Sequence, residues 1–210
     1  MSRSPLILEL LRKSIHLSSL FIVVGYTVIL NYFGHRVAVL VVTALLLILL
    51  EIEYFRLEHR PKLMVMFNDL FRRHEHNSLS GAVFLVISCV ICFAAFDYWV
   101  AVLALFMTVF GDLAAALFGR CFGKTKILGD KTFIGTLAGF AANMVVGALA
   151  LPEFLLLITS MSIVATFTEL LTNKLDDNLT VPLFAGFTGQ MVVYFFILEL
   201  PPEFTFLGFF

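Results

Sequence analysis

The residues most suited to chemistry in this sequence lie between Phe110 and Phe140. An acid, Asp112, stands inside an apolar segment, where a charged side chain costs about 2.5–3.5 kcal/mol if the segment crosses a membrane. A short basic loop follows, and glycines recur on both sides of it. The loop carries four basic residues, Arg120, Lys124, Lys126 and Lys131. Because lysines and glycine-flanked N–H groups bind anions, the stretch predicts a phosphate site beside an acid that can hold a metal.

The order Gly119, Gly123 and Lys124 invites comparison with the P-loop of nucleotide-binding proteins. A P-loop has four residues between its glycines and follows a strand. Three residues lie between Gly119 and Gly123, and an apolar helical segment precedes them, so this motif is excluded. What remains is a general anion-binding loop that follows Asp112. Pairing of Asp112 with a lysine, to stabilise packing, is the structural alternative.

Lys131 and Thr132 open the next apolar segment. Thr132 is expected to cap a helix, and a helix N-terminus offers N–H groups and partial positive charge to an anion. Small or amide residues follow at intervals of four, namely Gly135, Gly139, Asn143 and Gly147. They predict a smooth helix face, which packing between helices explains as well as binding does.

A second chemical stretch runs from Asp176 to Pro182. Asp176, Asp177 and Asn178 supply hard oxygen ligands of the kind that Mg²⁺ takes when it bridges phosphates. The alternative to metal binding is a structural role, in which these residues form a solvated turn and cap a helix. The preceding segment carries a polar stripe at helical spacing, formed by Ser162, Thr166, Glu169 and Asn173.

Two further basic segments are suited to closing over bound phosphate. Near the N-terminus, four residues at spacings of three and four share a helix side: Glu9, Arg12, Lys13 and His16. An interfacial anchor whose long side chains reach the headgroups is the alternative there. The later segment 56–80 has apolar spacing typical of an amphipathic helix on the membrane, with Arg72 near its end. We expect Arg12, Lys13 and Arg72 to contact phosphate.

The composition places the chain in the membrane class. Hydrophobic residues make up 60% of its 210 residues and charged residues 14%, whereas soluble domains average about 45–50% and about 25%. The mean hydropathy is +1.00. A net charge of −1 gives no support for nucleic-acid binding. The three cysteines predict neither a disulfide framework nor a zinc site, and no cleavable signal peptide is evident.

The chemical residues must be positioned by membrane helices, each of which needs about 20 apolar residues to cross a bilayer. We predict seven spans, at 17–34, 36–55, 79–96, 98–118, 134–152, 154–171 and 182–199. The expected fold is therefore an all-α, polytopic membrane helix bundle that forms a single domain over residues 1–210. A cytoplasmic N-terminus puts every Lys and Arg except Arg36 on the cytoplasmic side, as the positive-inside rule requires. The site then faces the cytoplasm, where nucleotides and magnesium are available.

Taken together, five stretches resemble the membrane-embedded, CTP-dependent lipid-alcohol kinases, which include phytol kinase, dolichol kinase and the CTP-using diacylglycerol kinase. These are distant relatives of phosphatidate cytidylyltransferase. The resemblance covers roughly residues 9–190. Its motifs are Glu9-x-x-Arg12-Lys13-x-x-His16, Arg72-x-x-Glu75, Gly111-Asp112-x-x-Ala115-x-x-x-Gly119-x-x-x-Gly123-Lys124, Lys131-Thr132-x-x-Gly135-x-x-x-Gly139-Phe140, and Glu169 followed by Asp176-Asp177-Asn178-Leu179-Thr180-Val181-Pro182.

The resemblance implies Mg²⁺-dependent transfer of the γ-phosphate of CTP to the hydroxyl of a membrane lipid alcohol, such as a polyprenol, phytol, geranylgeraniol or diacylglycerol. Phosphoryl transfer depends mainly on positioning and charge neutralisation. The metal ligands would be Asp112, Asp176 and Asp177, and the residues acting in catalysis would be Asp112, Asp177 and Lys131. Nucleotide contacts would come from Arg12, Lys13, Arg72, Gly119, Gly123, Lys124, Lys126, Lys131, Thr132, Gly135 and Asn178.

Two other functions stay open at this point. A cytidylyltransferase would use the same nucleotide and metal but attack the α-phosphate. A small ion-coupled transporter would use Asp112 and Glu169 as an ion path, although the sequence carries no visible inverted repeat to support it. The choice of lipid and the oligomeric state also stay open, and Asp112 is our first candidate for the group that accepts the alcohol proton.

Overall fold

The computed structural model describes residue 17 and residues 20–59, 78–172 and 175–204. These residues form seven α-helices and one two-stranded β-hairpin. In chain order they are α1 (Leu20–Phe33), α2 (His35–His59), α3 (Gly81–Ala95), α4 (Tyr98–Phe122), β1 (Lys126–Leu128), β2 (Lys131–Thr132), α5 (Phe133–Ala150), α6 (Leu155–Leu171) and α7 (Asp177–Phe196). The all-α prediction is confirmed for this part of the chain.

The seven helices fall at the seven positions that the apolar segments predicted. Four of them, α2, α4, α5 and α7, are long and apolar enough to cross a membrane. The other three have 10–17 residues, and at about 1.5 Å per residue they fall short of a hydrocarbon core of about 30 Å. Four helices of this kind are compatible with an integral membrane protein.

The chain divides into two compact units, and the boundary lies between Val90 and Ile91. In the first unit α1 and α2 pack together across Gly34, whose φ of +83° favours glycine. A buried ion pair lies near the end of α2. Arg56 donates to both carboxylate oxygens of Glu53 at 2.9 and 2.7 Å, and that carboxylate also accepts the backbone N–H of Ser80 just before α3.

In the second unit α4 packs against α5, α6 and α7. Apolar side chains of α4, α6 and α7 form the core, where Leu103, Met107, Leu157 and Met161 are fully buried. The turns between α3 and α4 and between α5 and α6 are short, as the sequence predicted. At the first turn the Gln190 side chain bonds both the N–H and the carboxylate of Asp97, which ties α7 to the start of α4.

Two local predictions are wrong. The basic loop contains an unpredicted β-hairpin, with Gly129 and Asp130 as its two turn residues and a φ of +56° at Gly129. Glycine at the first turn position is what a type II′ hairpin requires. The predicted turn from Asp176 to Pro182 is instead the first turns of α7. Asp176 caps that helix, and Pro182 lies inside it as the sixth residue, where proline supplies no N–H to the helical hydrogen bonds.

Candidate functional site

A close contact between α4 and α5, which we call the glycine seam, positions the basic hairpin. It is formed by Gly111, Gly119, Gly135 and Gly139. A Cβ on Gly135 would lie 2.8 Å from the Ala115 carbonyl oxygen and 3.1 Å from the Gly119 Cα. No side chain fits at that separation, so the glycines are explained by the approach of two backbones. Of the two interpretations that the spacing left open, packing is the one that the structure shows.

Backbone N–H groups in the first turn of α5 form hydrogen bonds with neighbouring residues of the protein. Thr132 is the N-cap, as predicted, and its Oγ1 accepts the N–H of Gly135 at 3.2 Å. The N–H of Phe133 donates to the Thr125 carbonyl at 3.0 Å. Two of the first three N–H groups are therefore already bonded. At most one of these three N–H groups is left for phosphate, and the predicted role of the helix start as an anion site stays a prediction. Gly123 contacts Thr132 in the same junction.

The lysines of the hairpin have different environments. Lys124 is exposed. Lys126 Nζ pairs at 2.8 Å with Asp130, an acid that the sequence analysis overlooked, and both side chains are largely in solvent. The hydrogen bond and positive charge of Lys126 lower the pKa of the Asp130 carboxyl. Lys131 Nζ instead donates to the carbonyl of Thr172 at 3.0 Å in a half-buried position.

The start of α7 presents carboxylates. Asp176 Oδ1 accepts the backbone N–H of Asn178 at 3.0 Å and its side-chain amide at 2.6 Å. Asp177 occupies the first helical position, where a negative charge is favoured by the helix dipole. Asp176 and Asp177 are half-buried, whereas Asn178 is buried. The residues predicted as metal ligands at this end of the chain thus lie together on one helix start.

The hairpin and the start of α7 meet through the end of α6. Thr172 terminates α6, and its carbonyl holds Lys131. The Thr172 hydroxyl lies 3.2 Å from the hydroxyl of Thr180, which in turn contacts the Asp176 carbonyl oxygen at 3.2 Å. The sequence left open whether the basic and acidic stretches come together. A chain of three hydrogen bonds connects them in the fold.

Asp112 and Glu169 lie further along the helices. Asp112 is half-buried on α4, directly after Gly111 of the glycine seam. Glu169 extends from α6 toward the same seam. A Cβ placed on Gly139 would lie 3.3 Å from the Gly111 carbonyl oxygen and 3.8 Å from Glu169 Oε2. The acid on α6 therefore lies beside Gly139 of the glycine seam.

One turn deeper, the seam contains buried polar groups. The Asn143 amide donates to Thr166 Oγ1 at 3.4 Å. A Cβ on Gly111 would lie 2.6 Å from Asn143 Oδ1, so the Asn143 amide packs directly against Gly111. Among the described residues, Asn143 Oδ1 and Ser162 Oγ are buried without a hydrogen-bond partner. The polar stripe predicted on α6 is confirmed for Ser162 and Thr166, which are buried, and Glu169 is half-buried.

The carboxylates of this region fit Mg²⁺ only if a bound substrate supplies some of the ligands of the ion. Within residues 17, 20–59, 78–172 and 175–204, no three His, Cys, Asp or Glu side chains form a metal-binding group. Mg²⁺ is commonly held by one or two carboxylates together with substrate phosphates and water. The carboxylates at the start of α7 meet that requirement by their chemistry.

Comparisons with protein-family models, with curated proteins and with solved structures give no match.

Several predicted residues lie outside the described part of the chain, namely Glu9, Arg12, Lys13, His16, Arg72, Glu75 and Asn173. Four residues that were not predicted to matter make hydrogen bonds in the structure. Asp130 had a usable signal, because Gly-Asp between two short polar-apolar runs predicts a hairpin turn. Glu53 and Arg56 had one as well, since opposite charges three apart on a helix pair. Thr172 had none, because its role depends on a backbone carbonyl.

Proposed function

We propose that this protein transfers the γ-phosphate of CTP to the hydroxyl of a membrane lipid alcohol. The observation that carries the proposal is the contact of Lys131 with Thr172. It brings a basic hairpin next to a helix start that bears two carboxylates, and phosphoryl transfer needs cations and metal-binding oxygens on one nucleotide. The preference for CTP and for a lipid alcohol rests on the motifs shared with the CTP-dependent lipid-alcohol kinases.

Lys131 is the central phosphate contact in this proposal. A lysine ammonium has three N–H donors, and the Thr172 carbonyl accepts one of them. The remaining donors can hold phosphate oxygens while the carbonyl fixes the position of the nitrogen. Lys124, which is exposed, adds charge from the hairpin. Lys126 would have to exchange Asp130 for phosphate, so we assign it a smaller part.

The acidic residues have a separate role. Asp177 and Asp112 are the carboxylates that would hold Mg²⁺, with Asp176 and Asn178 fixing the shape of the α7 start. When bound with the nucleotide, Mg²⁺ supplies positive charge that neutralises phosphate oxygens. The glycine seam keeps α4 and α5 in contact, and thereby sets the distance between Asp112 and the hairpin.

The membrane arrangement that suits this chemistry has seven spans and a cytoplasmic N-terminus. Its support is the position of the seven helices and the concentration of Lys and Arg in the connections assigned to one side. In this arrangement the hairpin and the start of α7 face the cytoplasm, where CTP is found. A lipid alcohol then presents its hydroxyl at the interface while its chain stays among the apolar side chains of the helices.

The experiment is a panel of lipid alcohols incubated with the purified full-length protein in detergent micelles and Mg²⁺. Phytol, geranylgeraniol, a dolichol and a diacylglycerol are each offered CTP or ATP labelled at the γ-phosphate. We expect label on one lipid class with CTP. Label found only in diphosphate, with cytidylyl transfer to a lipid phosphate, would favour the cytidylyltransferase instead. Absence of both products and of nucleotide binding would leave the ion-coupled transporter as the better function.

A further inference from the structure

The acceptor hydroxyl must lose a proton during the proposed transfer, and few carboxylates of the second unit are placed to take it. Four lie at helix ends away from the hairpin: Asp97, Glu153, Glu199 and Glu203. Asp130 is on the exposed hairpin and pairs with Lys126. Asp176 is the cap of α7. The described residues of this unit then leave Asp112, Asp177 and Glu169.

Glu169 differs from the other two in its surroundings. It belongs to α6, and its carboxylate borders the glycine seam at Gly139. Asp177 lies at a helix start beside a second carboxylate. Asp112 and Asp177 are the proposed metal ligands, and a carboxylate that neutralises a cation is a poor proton acceptor.

A second feature shows that this part of the seam is built for polar groups. Asn143 is 1% exposed, and among the described residues its Oδ1 has no hydrogen-bond partner, although the amide donates to Thr166. Thr166 is one helical turn from Glu169, and Asn143 is one turn from Gly139. A buried oxygen without a donor is costly in an apolar interior. A hydroxyl group or a water molecule reaching the seam beside Glu169 would supply that donor.

We propose that Glu169 is the catalytic residue that accepts the proton of the lipid hydroxyl. The proposal rests on the kinase function above. As the acceptor oxygen bonds to the γ-phosphorus, the O–H bond breaks and the proton passes to the Glu169 carboxylate. The bond between that phosphorus and the β–γ bridging oxygen breaks, and CDP leaves with the electron pair. Glu169 later releases the proton to water.

The test measures kcat and KM for Glu169→Gln with γ-labelled CTP and the alcohol that the panel identifies, geranylgeraniol or a diacylglycerol for example. Loss of a general base lowers kcat by about 100-fold or more, and KM for CTP should stay nearly unchanged because Glu169 does not hold phosphate. Glu153→Gln is the matched control. It makes the same change on an exposed turn between α5 and α6, and should retain full activity.

Chemical rescue separates a base from a structural residue. Glu169→Ala leaves room for a small carboxylate, so sodium formate should raise its kcat several-fold over sodium chloride at equal concentration, with no effect on Glu153→Gln. If Glu169→Gln does not fold, Glu169→Asp is measured in its place. This variant keeps the carboxylate and should retain part of the activity.

Two outcomes overturn the proposal while the kinase function stands. One is a Glu169→Gln enzyme with nearly unaltered kcat. The other is a folded but inactive Glu169→Ala that formate does not rescue, which would mean that Glu169 acts only on the structure. If the unaltered protein phosphorylates no alcohol, the proposed function fails first, and the role of Glu169 fails with it.

Discussion

The starts of α5 and α7 are built alike but offer different chemistry. Each is capped by its own side chain, Thr132 in α5 and Asp176 in α7, which accepts an N–H from the first turn. At α5 the remaining contacts are glycines of the opposite helix, and no acid lies in the first turn. At α7 the first turn carries Asp177 and Asn178.

The difference shows that a glycine-rich helix start beside lysines is not in itself a phosphate site. Two of the first three N–H groups of α5 are bonded to Thr125 and Thr132, and the glycines admit a neighbouring backbone. The charge available for phosphate therefore comes from side chains, Lys131 foremost. At α7 the cap, Asp176, and the carboxylate of the proposed metal site, Asp177, are two separate residues.

The largest effect is expected at the start of α7. Asp177→Asn should lower turnover by at least about 100-fold, the scale of losing one charge-stabilising group, because an amide replaces the carboxylate of the proposed metal site. The helix cap belongs to Asp176, so the melting temperature should change little. Assays of lipid phosphorylation and thermal melts in detergent measure the two effects. Full activity in this variant would remove Asp177 from the metal site.

A substitution at the start of α5 should lower the stability of the fold. Gly135→Ala introduces a methyl group 2.8 Å from the Ala115 carbonyl oxygen, and overpacking of this kind costs about 1–3 kcal/mol. Gly25→Ala on α1 is the matched control, since its methyl group would meet nothing within 4 Å. Melting temperatures of the two variants should separate clearly. Equal values would mean that the glycine seam is not tightly packed.

Lys131 connects the two starts, and its loss should act on nucleotide binding. Lys131→Met keeps the apolar stem and removes the ammonium that bonds Thr172. We expect KM for CTP to rise about tenfold, equivalent to about 1.4 kcal/mol, with a smaller fall in kcat. Lys131→Arg should recover part of the affinity because it restores a positive donor. An unchanged KM would place the triphosphate elsewhere.

The smallest effect is expected from Asp130→Asn on the hairpin. The Lys126–Asp130 pair is exposed, and exposed pairs contribute little to stability. Because the pKa of Asp130 is lowered in the fold, the pair persists at neutral pH and is lost only as pH falls through that lowered pKa. At neutral pH the melting temperature should not change measurably, and KM for CTP should fall slightly as Lys126 is released. A rise in KM would assign Asp130 to the site itself.

Much of the architecture follows from local sequence signals. The apolar segments predicted the seven helices of the described residues, because a helix in an apolar environment bonds its own backbone and needs only length and side-chain type. The cap at Thr132 followed from its hydroxyl at the boundary of polar and apolar residues. The predicted start of α7 at Pro182 is five residues too late, because proline favours a helix start but the Asp176 side chain caps this helix earlier.

The sequence by itself determined the apolar helices, the basic loop and the acidic residues that follow α6. Only the tertiary structure decided that this loop is a hairpin, that Lys131 binds the Thr172 carbonyl, that Glu169 reaches the seam at Gly139, and that the glycines serve packing. The physical reason is that helix formation depends on neighbours in sequence, whereas these contacts join distant residues, such as Lys131 and Thr172 at a separation of 41 positions. Their partners are backbone atoms, which every residue carries and no motif distinguishes.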